Sequence, residues 1–182
     1  MRPRIGLLLL VLLASAMTAC GPGEVTTTTP PPPPTTPTPT PSPQWTPEEQ
    51  AAMDAAQRYI EVWADIGQHL PNTDQNRILD VAGDPLKTQV VLHWAEWIES
   101  GRHQVGTPTF IPNMVQPGAH DHQGDRYHVY GCYDSSATYL VESDGKIVTY
   151  GKFDHIIVRF LVLHLTNSSY IVVDESSEDK PC

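Results

Sequence analysis

Histidine and carboxylate crowd one short stretch of this 182-residue chain: His120-Asp121-His122, with Asp125 and His128 close behind. Imidazole and carboxylate are ligands that suit zinc or copper, and His-x-His in extended chain turns both rings to one side. The same stretch is rich in Gly, Gln and Asp, the composition of a solvated loop, and no cysteine is available to close a four-ligand site. Metal is therefore the minority reading of His120, His122 and His128, and no cofactor is expected. His93 and Trp97 fall one helical turn apart, the pattern of a core edge more than of a site. The chain has no Gly-x-Ser-x-Gly elbow, phosphate-binding loop, His-Glu-x-x-His or Cys-His nucleophile pairing.

Cysteine is the other reactive residue, and the chain has three: Cys20, Cys132 and Cys182. The first follows a leader. Arg2 and Arg4 precede an apolar run from Ile5 to Leu13, the length of a signal core and well short of the ~20 residues of a bilayer span. Met17-Thr18-Ala19-Cys20-Gly21 resembles the bacterial lipobox, although leucine is usual where Met17 stands. That resemblance implies a signal peptide over residues 1–19 and a diacylglyceryl group on Cys20, acylated by fatty chains such as palmitate. Each buried CH₂ contributes about 0.8 kcal/mol, so two chains anchor stably. The rival reading is ordinary secretion after Ala14-Ser15-Ala16, which leaves Cys20 a spare thiol. With Cys20 lipidated, Cys132 and Cys182 are left to pair in an oxidising compartment. The alternative is a buried thiol at Cys132 and a loose end at Cys182.

Residues 20–44 form a tether. Ten of the twenty-four residues after Cys20 are proline, most of the others are threonine, and no apolar face exists to bury. Proline favours an extended polyproline II chain at about 3.1 Å per residue, so the spacer reaches on the order of 70 Å. Only Arg2, Arg4 and Glu24 are charged before Trp45, which leaves 20 acidic and 9 basic residues beyond it, a net charge of −11. Nucleic acid is excluded as a partner on that ground.

Residues 45–182 are long enough for one globular domain. Thr46-Pro47-Glu48-Glu49 opens a helix whose apolar face runs through Ala52, Ala55, Ala56, Tyr59, Trp63 and Ile66 to about Gly67. Pro71-Asn72-Thr73 opens a short second helix carrying Ile78, Leu79 and Val81. Asp84-Pro85 begins a third, with Leu86, Val90, Trp94 and Trp97-Ile98 as its stripe and Gly101 as its stop. Strands are expected near residues 103–111, 126–132, 137–141, 155–165 and 170–174, with turns at Asp144-Gly145 and Thr166-Asn167-Ser168-Ser169. Helices followed by an antiparallel meander make an α+β fold.

Three helices before a curved antiparallel sheet resemble the nuclear transport factor 2-like, or cystatin-like cone, superfamily. Gly131-Cys132-Tyr133-Asp134-Ser135-Ser136, the Asp144-Gly145 turn and a C-terminal cysteine resemble small tethered lipoproteins of actinobacteria and their phages. Tyr170-Ile171-Val172 stands where Trp-x-Val is usual in the last strand. The resemblance implies an apolar pocket between sheet and helices, which Tyr59, Trp63, Asp65, Trp94 and Asp134 would line. Isomerases and cyclases of this shape use a pocket Asp or His as base and a Tyr or Asp as oxyanion donor. Aromatic residues at helical spacing are more often core, and Asp134 before two serines is more often turn chemistry.

The expectation is a lipid-anchored protein on the extracytoplasmic face of the cell membrane. It would display a non-catalytic binding domain for an envelope protein or a small apolar ligand, and if phage-borne would serve in phage exclusion. The alternative is a small cone-type isomerase or cyclase acting on an apolar ligand.

Overall fold

Helix α1, Pro47–His69, begins where a capping box fixes it. The Thr46 hydroxyl accepts from the Glu49 amide at 3.2 Å, and the Glu49 carboxylate accepts from the Thr46 amide at 2.8 Å. The structure, a computed structural model, describes residues 45–120, 122–148, 154–178 and 180–182. The leader, Cys20, the tether and Asp121 lie outside the described residues.

Ala52, Met53, Ala55, Ala56, Tyr59, Ile60, Ala64 and Ile66 make the buried face of α1. The middle helix is a 3₁₀ turn, Gln75–Asp80, capped by Asp74, whose side chain accepts from the Asn76 amide. Only Ile78 of that turn is buried and Leu79 is exposed, because six residues in tight 3₁₀ winding present one side to the core. Helix α2, Leu86–Ser100, buries Leu86, Val90, Trp94 and Trp97, and ends at Gly101 in the left-handed conformation (φ 70°). Ile98 is exposed, off the stripe expected to contain it.

The strands form two antiparallel sheets. β1 (His103–Val105), β4 (Tyr139–Val141) and β5 (Ile147–Val148) make a small one in the order β1-β4-β5. β2 (Thr109–Pro117), β3 (Asp125–Asp134), β6 (His155–His164) and β7 (Tyr170–Ser177) make a larger one in the order β2-β3-β6-β7. The single strand expected over residues 103–111 is thus two strands in different sheets. The chain changes sheet at Gly106 (φ 81°), where a side chain would collide with the carbonyl of Ala137. β2 then runs on past Ile111 to Pro117. Pro112, which cannot donate to a ladder, is tolerated there because β2 is an edge strand and its register slips between Pro112 and Met114.

α1 touches all four strands of the larger sheet, and Phe110, Val115, Val129, Val158, Phe160, Val162 and Val172 close the core from the sheet side. The other edge, β7, is partly covered by the segment after the 3₁₀ turn: Gly83 donates to Val172 at 2.8 Å and Val172 to Val81 at 2.9 Å.

Beyond β7 the C-terminal residues keep pairing with β6, Glu178 donating to Ile157 at 2.9 Å. Cys182 then joins Cys132 of β3 in a disulfide, with Cα atoms 5.8 Å apart. The bridge ties a tail without apolar side chains to the interior of the sheet. Its ends are 50 residues apart in sequence, and closing such a loop in the unfolded chain is worth about 4 kcal/mol as an upper figure. Intact-mass analysis after alkylation without reductant is expected to leave Cys132 and Cys182 unlabelled. Cys182→Ser is expected to lower unfolding stability by up to about 4 kcal/mol. Two labelled thiols on folded protein would refute the bridge.

Candidate functional site

A regular alternation along β7 would put Val172 and Asp174 on one face of the sheet. It does not, because the register shifts: Val162 pairs with Val172, whereas Leu161 pairs with Asp174, so Val173 is an extra residue. The bulge reverses the parity beyond it. Glu175 comes to stand opposite Phe160, and directly opposed residues in an antiparallel ladder share a face. Phe160 is fully buried against α1, so Glu175 is turned to the helix side and Asp174 to the outer side. There the Arg159 guanidinium lies 3.4 Å from the Asp174 carboxylate.

What Glu175 meets on the helix side is Tyr59. The Tyr59 hydroxyl donates to Oε2 of Glu175 at 3.2 Å. The Tyr59 ring stands edge-on to Phe160 at 5.7 Å, and Phe160 edge-on to Phe110 at 4.9 Å. Tyr133, half-buried, pairs with Phe110 across β2 and β3 and shares that face. Gln57 of α1 donates to the Phe110 carbonyl at 3.3 Å and holds the helix against this end of the sheet.

The electrostatics follow from burial. Desolvation raises the Glu175 carboxyl; the Tyr59 hydrogen bond opposes that, and the Asp174 charge adds to it. Desolvation likewise raises the Tyr59 and Tyr133 hydroxyls, and the Glu175 charge raises both further. Glu175 keeps an exposed surface although protein atoms crowd its carboxyl. The exposed surface leaves the carboxyl in reach of water, which reduces the size of the shift. A protonated carboxyl beside a phenol can donate and accept; an ionised one can take a cation or a proton.

The residues singled out from sequence scatter around this point. Tyr59 belongs to it. Trp63 is half-buried edge-on to Trp97 at 6.0 Å, and Trp94 is wholly buried core. Asp65 pairs with Arg77 and with His69 on the surface. Hydrogen bonds from the Ser136 side chain and then its amide, the latter at 2.8 Å, lower the pKa of Asp134, and its carboxylate is 3.3 Å from His155. It is therefore a turn acid, and the carboxyl facing Tyr59 is Glu175. No sequence signal marked Glu175, because a bulge decided its face.

The histidines separate too. His120 Nδ1 lies 2.7 Å from Oδ1 of Asp125, whose other oxygen is 3.9 Å from His164 Nδ1. His122 is exposed, and His128 lies on β3 opposite Gln116 and Leu161. Among the described residues no three His, Cys, Asp or Glu side chains are grouped to hold a metal ion. His93 packs on Trp97 at 4.7 Å, and desolvation lowers its pKa.

No family model matches the chain, and no curated protein does. Solved structures match at a distance. The intermembrane space region of the chloroplast protein ARC6 is 12% identical with a TM-score of 0.49, over 74% of this chain and 98% of that one. A structure from Catenulispora acidiphila is 9% identical with a TM-score of 0.37, over 71% of this chain and 88% of that one. A second from that organism, in complex with S-DNPA, is 10% identical with a TM-score of 0.37, over 71% and 90%. Likeness this remote lends nothing to a function.

The raised Glu175 carboxyl makes a prediction about pH. An acid raised in the folded state stabilises fully below its unfolded value, about 4.5, and that contribution is lost as pH rises through the folded value. Glu175→Gln is therefore expected to raise the melting midpoint at neutral pH and to flatten the decline between pH 4.5 and neutrality. A variant with an unchanged pH profile would show that Glu175 titrates as an ordinary surface acid.

Proposed function

We propose that this chain is an exported lipoprotein, held to the extracytoplasmic face of the cell membrane by acyl chains on Cys20 and displaying residues 45–182 as a non-catalytic binding domain. The observation that carries this reading is the Cys132–Cys182 bridge. A disulfide between an interior strand and the chain end belongs to a protein that matures in an oxidising compartment. It uses two of the three cysteines and leaves Cys20, behind its leader-like sequence, for lipid. Residues 20–44 are then the spacer between membrane and domain. The finer fold assignment, a nuclear transport factor 2-like cone, is part of the same proposal; a long helix laid on one side of an open antiparallel sheet supports it.

We place the binding surface at Glu175, an exposed carboxyl bonded to the buried Tyr59 hydroxyl. Its partner would be an envelope protein or a small apolar ligand. The same place favours one second reading, a cone-type isomerase or cyclase. A raised carboxyl bonded to a phenol is an acid–base pair of the kind such chemistry uses, with Glu175 as base and Tyr59 as donor.

Cell fractionation tests the anchor. The wild-type chain is expected in the membrane fraction, resistant to high salt, and Cys20→Ser in the medium or held uncleaved. No helix of the described residues is long and apolar enough to cross a membrane. A Cys20→Ser chain that is processed normally and still resists salt extraction would overturn the lipoprotein reading.

A further inference from the structure

An open cavity lies between α1 and the 3₁₀ turn and shares no residue with the Glu175 position. Its volume is about 400 Å³, and it is lined by Arg58 and Val62 of α1, Arg77 and Asp80 of the turn, and Val81 just beyond. Arg58, Val62 and Asp65 fall at i, i+4 and i+7, a single stripe of the helix. Asp65, at the end of that stripe, pairs with Arg77 and ties the turn to the helix. Val81 accepts from the Val172 amide at 2.9 Å, which ties the opposite wall to β7. The shape of the cavity is thus set by elements that are held in place by the rest of the fold.

The two guanidiniums in it are not equivalent. Arg77 is answered by Asp65. Arg58, which is exposed, has no carboxylate paired with it among the described residues, and its Nη2 lies 3.5 Å from the Tyr170 carbonyl, too far for a strong bond. Asp80 is exposed too, and among the described residues no cation is paired with it. Arg58 and Asp80 therefore line one cavity with opposite charges and do not close on each other, because α1 carries one and the end of the 3₁₀ turn carries the other. Val62 is half-buried and Val81 shows only an edge, so the apolar part of the lining is small.

That lining selects among ligands. A simple anion would gain from Arg58 and be opposed by Asp80, and a simple cation would meet the reverse. A neutral apolar molecule would strip water from both charges and return nothing. A small zwitterion answers both: its carboxylate takes the paired N–H groups of a guanidinium, and its ammonium donates to a carboxylate. We infer that this cavity is a second binding site, for a zwitterion of the amino-acid or short-peptide class, with Arg58 on its carboxylate, Asp80 on its ammonium and Val62 against its side chain. At about 400 Å³ the cavity stands near the small end of the roughly 300–1,000 Å³ range of ligand sites, which suits one or two amino acids.

Calorimetry on the full chain in detergent, at neutral pH and constant ionic strength, tests this with leucine and leucylleucine, each also in its N-acetyl and carboxamide forms. At least one zwitterion is expected to bind saturably at millimolar concentration, and its length reports whether a free amino acid or a short peptide is the ligand. Blocking either end of that molecule is expected to cost at least tenfold. Arg58→Gln and Asp80→Asn alter exposed side chains, so both are expected to keep the wild-type melting midpoint while each loses at least tenfold in affinity. Arg102→Gln, which removes an ion pair with Glu142 elsewhere, is expected to bind as the wild type does. No saturable binding of either zwitterion, blocked forms that bind equally well, full affinity in folded Arg58→Gln or Asp80→Asn, or an equal loss in Arg102→Gln would each overturn the inference. Such failures leave the lipid anchor untouched, because it is judged by where the Cys20→Ser chain fractionates.

Discussion

Ala52, Ala55, Ala56, Tyr59 and Ile60 form the strip of α1 on which the larger sheet closes, and the remaining elements are placed by that contact. Alanines let the helix axis approach the strands, and one large ring, Tyr59, reaches into the aromatic layer of Phe160 and Phe110. The four strands all touch this helix. The 3₁₀ turn and α2 then pack around what α1 leaves uncovered. Truncating Tyr59 would open the aromatic layer and release the only hydroxyl described on Glu175.

A single inserted residue gives the sheet its chemistry. Val173 adds to the local count of β7 without a partner on β6, and two neighbouring acids exchange faces as a result. One acid becomes half of a surface ion pair with Arg159, worth little in high dielectric. The other is turned to the helix side, where it accepts from the Tyr59 hydroxyl while its own surface stays open to water. A fold selected only for stability would place a valine or threonine at residue 175.

The disulfide solves a separate problem. Residues 178–182 include no apolar side chain apart from the ring of Pro181, so packing cannot hold them, and their few backbone bonds to Ile157 are a weak tie. Joining Cys182 to Cys132 replaces packing with a covalent bond to an interior strand. The same bond accounts for two of the three cysteines.

Local chemistry made much of this legible in the amino-acid sequence. Thr46 and Glu49 announce the start of α1, Gly101 the end of α2, and Asp144-Gly145 a tight turn, because each acts through atoms only a few residues away. The α+β order and the pairing of Cys132 with Cys182 were readable for a similar reason: apolar periodicity and a count of thiols need no coordinates. The split of the first expected strand at Gly106, the continuation of β2 through Pro112 and the face on which Glu175 lies were not readable. Each depends on a partner far along the chain: the Ala137 carbonyl, the edge position beside β3, and the register of β6. Period-2 reasoning assumes an unbroken ladder, and a bulge is a property of two strands together. The acid that faces Tyr59 was therefore decided by tertiary structure alone.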